Sequence, residues 1–531
     1  MDRRRFVAAL APAGLLAGRA VPAGAAPRAG AFAWQEATFA QLQAAMEAGR
    51  VTSHALVEAY LRRIDAIDRR GPRLRSVIET NPEAPAIAAA LDDERRRRGP
   101  RGPLHGIPLL VKDNIATGDR MSTSCGSLAL DGVRAARDAH VVARLREAGA
   151  VILGKNNLSE WANIRSTRST SGWSARGGLT RHPYALDRNP SGSSAGSAVA
   201  VAANLAAAAV GTETDGSIVS PASINGIVGI KPTVGRVSRD GIVPISSTQD
   251  TAGPMARTVA DAAALLAAMA GRDAGDGATA SAPSAGDLGR ALDVYRLEGT
   301  RLGVVRHLFG AHEGVNALAE RALATLQAEG AVLVDPVELK NIEAVTGPEL
   351  EVLLHEMKPG LAAWLAEFAP QAPVRTLADV IAWNVRQRAR EMAWFGQELF
   401  ERAEATAGLD SRAYLDALAA CRRIARTEGI DAVLAAHRLD ALVAPTGGPA
   451  WLSDLVNGDH VGSSFSTPAA VAGYPHVTVP AGFVHGLPVG LSFVGPAFGE
   501  AALLGLAHAF EQATRARRAP GFARTVALPQ P

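Results

Sequence analysis

Apolar positions along the chain fall into two rhythms. From Ser53 onward, Leu56, Tyr60, Ile64 and Ile67 recur at helical spacing, and Thr52 or Ser53 stands where an N-cap hydroxyl accepts a backbone N–H. The pattern predicts an amphipathic helix on the rim of a core. Short continuous apolar runs follow at Ile107 to Val111 and Val151 to Leu153, with Val141, Val142 and Leu145 in helical register between them. Strand, helix, strand at this spacing predicts α/β layering. The alternation returns with Leu302 to Val305, a helix near Asn316 to Glu329, and Ala331 to Val337. Between these halves, Ala270 to Gly286 is rich in Gly, Ala, Ser and Asp and reads as a surface linker. From about Glu349 to Ala436 the pattern is helical almost throughout, with Trp364, Trp383 and Trp394 among its apolar positions. It predicts a helical insertion or cap beside the sheet. Leu439 to Pro445, His476 to Pro480 and Val489 to Val494 return to short runs before a final helix. The uncharged run from Ser197 to Gly211 is too short to span a bilayer and predicts a helix buried within a large protein. No internal repeat is visible.

Composition narrows the class. The 531 residues are 47% hydrophobic and 20% charged, which supports a large core and excludes compositional disorder. The net charge is +3, from 55 Lys and Arg against 52 Asp and Glu. Four of those arginines and one aspartate lie in the first 25 residues, so the remainder is formally neutral. A neutral chain has no global basic field, which argues against nucleic acid or an anionic membrane as main partner. Cys125 and Cys421 are the only cysteines, too few for a disulfide framework or a zinc cluster.

Residues 1–25 read as a targeting segment. Arg3, Arg4 and Arg5 precede a mildly apolar stretch, Val7 to Gly18, and Ala23-Gly24-Ala25 has the small-x-small form of a signal-peptidase site. This is similar to a twin-arginine export signal and predicts a periplasmic or secreted protein. A short N-terminal helix is the alternative. Residues 26–531 are expected to form a single domain.

Candidate chemistry concentrates between Lys112 and Ser217. Lys112 ends an apolar run, Ser191 to Ser197 is a Gly/Ser loop, and Gly211 to Ile218 is a second glycine-containing turn. Loops of this kind are also common linkers or anion nests, but no Gly-Lys-Ser/Thr follows, so a phosphate-binding P-loop is excluded. Only five of the 55 cations are lysines. Arginine cannot deprotonate in the working range, whereas a lysine buried against apolar neighbours can. Taken alone, Lys112 still reads first as half of a structural ion pair and second as a base. Gly192 to Gly196 also fits the G-x-S-x-G elbow with Ser194 as nucleophile. That elbow needs a strand directly before it, and Thr180 to Pro190 holds two prolines and no strand run.

Taken together, Lys112, the Ser193 loop and the Ser217 turn resemble the amidase signature family. Leu104 to Asn114, Gly154 to Glu160, Gly229 to Arg236 and Ala472 to Gly482 carry the same resemblance, which runs from about residue 36 to 515. Ser171 to Gly178, Gly211 to Ile218 and Asp250 to Arg257 are most similar to the bacterial peptide amidases of that family. The resemblance implies an α/β fold: a mixed, twisted central sheet between helical layers, with the signature core at about 100–260 and the helical cap at about 349–436. It implies hydrolysis of the C-terminal amide of peptides. Ser217 would be the nucleophile, Ser193 on a cis peptide the bridge, and Lys112 the base. Backbone N–H groups of Thr214, Asp215, Gly216 and Ser217 would hold the oxyanion, with Ser194 a supporting hydroxyl in the same substrate-binding set.

Ser191, Ala195 and Asp215 stand where the family often has glycine. Asp215 puts a carboxyl beside the oxyanion loop, where its charge opposes catalysis unless it points away or is paired. The loop Ser166 to Gly178 is expected on the leaving-group side and the region after Glu349 on the acyl side, although Trp173 reads more readily as core than cleft. Aryl, fatty-acid or small aliphatic amides are alternative substrates, and membership of a multi-protein amidotransferase is a different class of reading, which an export signal argues against. No cofactor, metal, nucleic-acid partner, stable membrane insertion or obligate protein partner is expected. The twelve histidines show no paired ligand spacing, and His105 and His140 read as hydrogen-bonded structural residues.

Overall fold

A central strand buried on both faces needs a continuous apolar run, and Pro108–Lys112 is such a strand, with all five residues buried. It sits in the eleven-stranded sheet of a computed structural model that describes residues 32–294 and 296–527. The strands are β1 (Val77–Thr80), β2 (Pro108–Lys112), β3 (Val151–Asn156), β4 (Trp173–Ser174), β5 (Gly178–Leu179), β6 (Ala208–Glu213), β7 (Val228–Lys231) and β8 (Thr251–Ala256). They continue with β9 (Arg301–Val304), β10 (Val332–Val334), β11 (Ala441–Pro445), β12 (His476–Val484) and β13 (Leu487–Val494). The sheet order is β1-β3-β2-β6-β8-β7-β12-β13-β11-β9-β10, and β4 and β5 form a separate ribbon. Strand β2 runs parallel to both β3 and β6, while β8, β7, β12 and β13 pair antiparallel, so the sheet is mixed. Helices Val259–Met269, Glu313–Ala328 and Glu500–Thr514 pack against it. This is the expected α/β architecture. The described residues from Glu36 onward form one compact unit, and the expected boundary after residue 25 lies outside the described residues.

Most expected elements are present. The helix Ser53–Arg63 is capped by Thr52, whose hydroxyl accepts from the Ala55 N–H at 3.1 Å. Two expectations need correction. The alanine-rich run after Ser197 is not one buried helix: helix Ala195–Ala202 ends, Asn204 turns the chain with φ 60°, and Ala208–Glu213 enters the sheet between β2 and β8. Alanine favours helix locally, but two waiting strand partners override that preference. The segment after Ala270 is no free surface linker either. Asp276 accepts from the Arg239 Nε at 2.7 Å and Nη2 at 2.6 Å, and Thr279 is fully buried.

The helical region is observed from Thr346 to His437. Its first long helix, Thr346–Phe368, is tied to the approach to β8 through Glu356, which accepts from Ser246 Oγ at 2.5 Å and the Thr248 N–H at 3.1 Å. No helix among the described residues is long and apolar enough to cross a membrane.

Candidate active site

Parallel pairing of β2 with β6 brings their carboxyl ends to one edge of the sheet, the edge at which open α/β sheets bind ligands. Lys112 closes β2 and is fully buried. Its Nζ lies 2.8 Å from Ser193 Oγ, 2.9 Å from Thr212 Oγ1 and 3.1 Å from the Thr212 carbonyl. Asn114 Nδ2 donates to the same Thr212 hydroxyl at 3.0 Å. Burial pulls the lysine down to about 7, against the opposing pull of Cys125, Asp250 and Glu213. None of the carboxylates among the described residues lies within ion-pair distance of it, so the structural ion pair is not formed.

Ser193 follows a cis Gly192–Ser193 peptide, as the resemblance implies. A Cβ at Gly192 would meet Ser159 Oγ, so any side chain there would have to displace that hydroxyl. The Ser193 carbonyl accepts from the Ser159 N–H at 3.0 Å, and Ser191 Oγ and Ser220 Oγ are 2.8 Å apart. The two loops are thereby sewn together. Ser194 completes the seam: its N–H donates to the Ser217 carbonyl at 3.1 Å. Its fully buried hydroxyl lies between the Thr212 carbonyl, 3.0 Å, and N–H, 3.2 Å. Ser194 therefore braces strand β6 as a supporting hydroxyl, its proton and one lone pair engaged by Thr212.

Beyond β6 the chain turns through Thr214, Asp215, Gly216 and Ser217 into the helix Val219–Ile224. Gly216 has φ 76°, a left-handed conformation that suits glycine, and a Cβ there would lie 3.0 Å from Ser466 Oγ. The N–H groups of Asp215, Gly216 and Ser217 make no hydrogen bond among the described residues. Ser217 is 9% exposed against 1% for Ser193, so the hydroxyl nearer the surface is that of Ser217. No hydrogen bond joins the two hydroxyls directly. Glu213 Oε2 accepts from the N–H groups of Ile218 at 2.7 Å and Val219 at 2.9 Å, which fixes the start of the helix just after Ser217.

Both the family-model match and the relatives bear on this constellation. The family model described as Amidase matches residues 55–504. The chain belongs to the amidase signature family. The structure of native peptide amidase from Stenotrophomonas maltophilia is similar at 56% identity and a TM-score of 0.89, covering 93% of this chain and 100% of that one. A probable amidase from Arabidopsis thaliana is 45% identical over 92% of each chain. A glutamyl-tRNA(Gln) amidotransferase component from Halorhodospira halophila is 40% identical over 90% of this chain and 97% of its own.

Several groups in this amidase were not foreseen from sequence. Thr212, Asn114 and Glu213 hold the lysine and the turn, and Asp250, pushed up to about 6 by burial, accepts from Thr214 Oγ1 at 2.6 Å. All four lie inside stretches that carry the resemblance, yet only their position there is a signal. Asp215 does not stand alone: Thr467 Oγ1 donates to its Oδ2 at 2.6 Å. Trp173 is core, 6% exposed and edge-on to Phe395 at 5.2 Å. His105 and His140 are engaged as expected, with His105 Nε2 2.9 Å from the Leu91 carbonyl and His140 Nδ1 3.2 Å from Asp273. No cluster able to hold a metal ion is found among the described residues.

Proposed function

We propose that this amidase hydrolyses the C-terminal amide of peptides to the free acid and ammonia, with Ser217 as nucleophile, Ser193 as proton bridge and Lys112 as base. The observation that carries the reading is the 2.8 Å contact between a buried lysine lowered to about 7 and Ser193, one loop away from Ser217. A neutral Lys112 accepts the Ser193 proton while Ser193 takes that of Ser217, and the Ser217 oxygen bonds to the amide carbon. The N–H groups of Thr214, Asp215, Gly216 and Ser217 receive the oxyanion; one such donor is worth about 3–4 kcal/mol in the transition state. The proton returns through Ser193 to the departing nitrogen, the C–N bond breaks, and ammonia leaves. Water then enters by the same relay and releases the acid.

The peptide-amide substrate is supported by the 56% identity to an enzyme of that name. Similarity to amidases in general and to an amidotransferase component supports amide hydrolysis without choosing the amide. We also propose export, on the strength of Arg3 to Arg5 and Ala23 to Ala25, with residues 26–531 as one amidase domain. N-terminal sequencing of protein recovered from the periplasm or medium checks this, and a start at Met1 would sink it.

The deciding experiment is mass spectrometry of peptides carrying either a C-terminal amide or a free acid, incubated with wild type and Ser217→Ala. Loss of the terminal amide alone, internal bonds intact and the variant silent, is the expected result. Hydrolysis confined to aryl or aliphatic amides would keep the mechanism and discard the substrate.

A further inference from the structure

We propose that Glu349, reaching in from the helical insertion in its protonated form, donates a hydrogen bond to Asp215 and so positions the turn that carries Ser217. Three elements converge on that aspartate. Its Oδ2 accepts from Thr467 Oγ1 at 2.6 Å, and the Ser466 hydroxyl lies close by. Its Oδ1 is buried and receives no N–H or O–H from the described residues. The carboxyl of Glu349, 7% exposed on the helix Thr346–Phe368, lies beside that of Asp215. Gln249 Nε2 holds Glu349 Oε1 at 2.9 Å and reaches the Thr214 carbonyl at 3.5 Å.

Two ionised carboxylates can only accept, so this contact requires a proton. Burial and the charge of Asp215 hold the Glu349 carboxyl well above its usual range, and burial raises Asp215 against the opposing pull of the Ser466 and Thr467 hydroxyls. The surrounding charges place the proton. Lys231 faces Asp215 and also Glu213, whereas the other titrating group near Glu349 is the Cys421 thiol. Glu349 is the acid and Asp215 the acceptor. Loss of the shared proton at alkaline pH would set two negative charges against each other and release the turn.

The inference rests on Ser217 as nucleophile, and its test has one arm that does not. Kinetics on a blocked dipeptide amide are measured for wild type, Glu349→Ala and Glu349→Gln from pH 6 to 10, beside thermal unfolding over the same range. Glu349→Ala is expected to lower kcat about tenfold or more with KM changed less than about threefold. Glu349→Gln, which still donates through its amide but cannot ionise, is expected to restore kcat to within about threefold and to move the alkaline fall upward by about a pH unit or more. Equal loss in both variants, or none in Glu349→Ala, overturns the positioning role. A folded state that binds the extra proton loses stability as pH rises, so the wild-type Tm should fall more steeply than that of Glu349→Gln. Equal slopes overturn the shared proton even if no peptide amide is cleaved, and a silent wild type with unequal slopes discards only the substrate.

Discussion

Lys112 and Lys155 stand on neighbouring strands, both fully buried and both lowered by desolvation, yet their surroundings differ. In the β2–β3 register Lys112 is paired with Asn156 and Lys155 with Val111, so the two ammonium groups leave opposite faces of the sheet. Lys155 donates to the Ile115 carbonyl at 2.7 Å and to Thr123 Oγ1 at 3.0 Å, with Asp113 the leading charge that favours its ionised form. Lys112 meets Ser193, a hydroxyl able to pass a proton on. The leading group that would favour its charge is the Cys125 thiol, which burial raises far above its usual range and so keeps neutral. Burial makes both lysines reluctant cations; the partner decides which can act as a base.

The contrast is broken or sharpened by substitution. Ser217→Ala should have the largest effect, a fall in ammonia release of about 10⁴-fold or more; retention of a hundredth of the activity would remove Ser217 from the nucleophile role. Lys112→Ala should cost about 10²–10⁴-fold in kcat, the range of a lost general base. In the wild type, kcat/KM should drop about tenfold per pH unit below about 7, as Lys112 takes up its proton. A flat acid limb would exclude a neutral lysine. The same depressed value has a stability sign. Below about 7 both folded and unfolded chains hold the proton and the full burial penalty applies; as pH rises from there the folded state sheds it and stability increases. Lys112→Met should therefore gain most in Tm, relative to wild type, at acid pH. Lys155→Met should do least to chemistry: kcat within a few-fold, with about 1–3 kcal/mol lost in unfolding because Ile115 and Thr123 lose a donor. A kcat loss matching that of Lys112→Ala would erase the distinction between the two lysines.

Much of the site was legible because its residues lie in short stretches whose backbone needs are local. A lysine ending an apolar strand, glycine before Ser193 and glycine before Ser217 can be read without knowing what lies opposite. Ser194 reads from sequence as a supporting hydroxyl, but what it supports is not visible there. Its hydroxyl is consumed by Thr212, and only the approach of the loop to β6 makes it a brace. Asp215 was flagged as an awkward charge, and its resolution lies in Thr467 and Glu349, distant in the chain and without any motif.

By itself, the sequence determined the α/β alternation, the helical insertion, the family and the three residues proposed to carry the reaction. Periodicity and turn chemistry are short-range properties that a chain displays in order. Tertiary structure alone decided that Ala208–Glu213 is a strand, that Asp276 packs against Arg239, that Trp173 is core, and that Gln249 joins Glu349 to the turn at Thr214. Each of these depends on a partner brought in from elsewhere in the chain, and burial, which sets the protonation of Lys112 and Glu349, exists only once those partners have met.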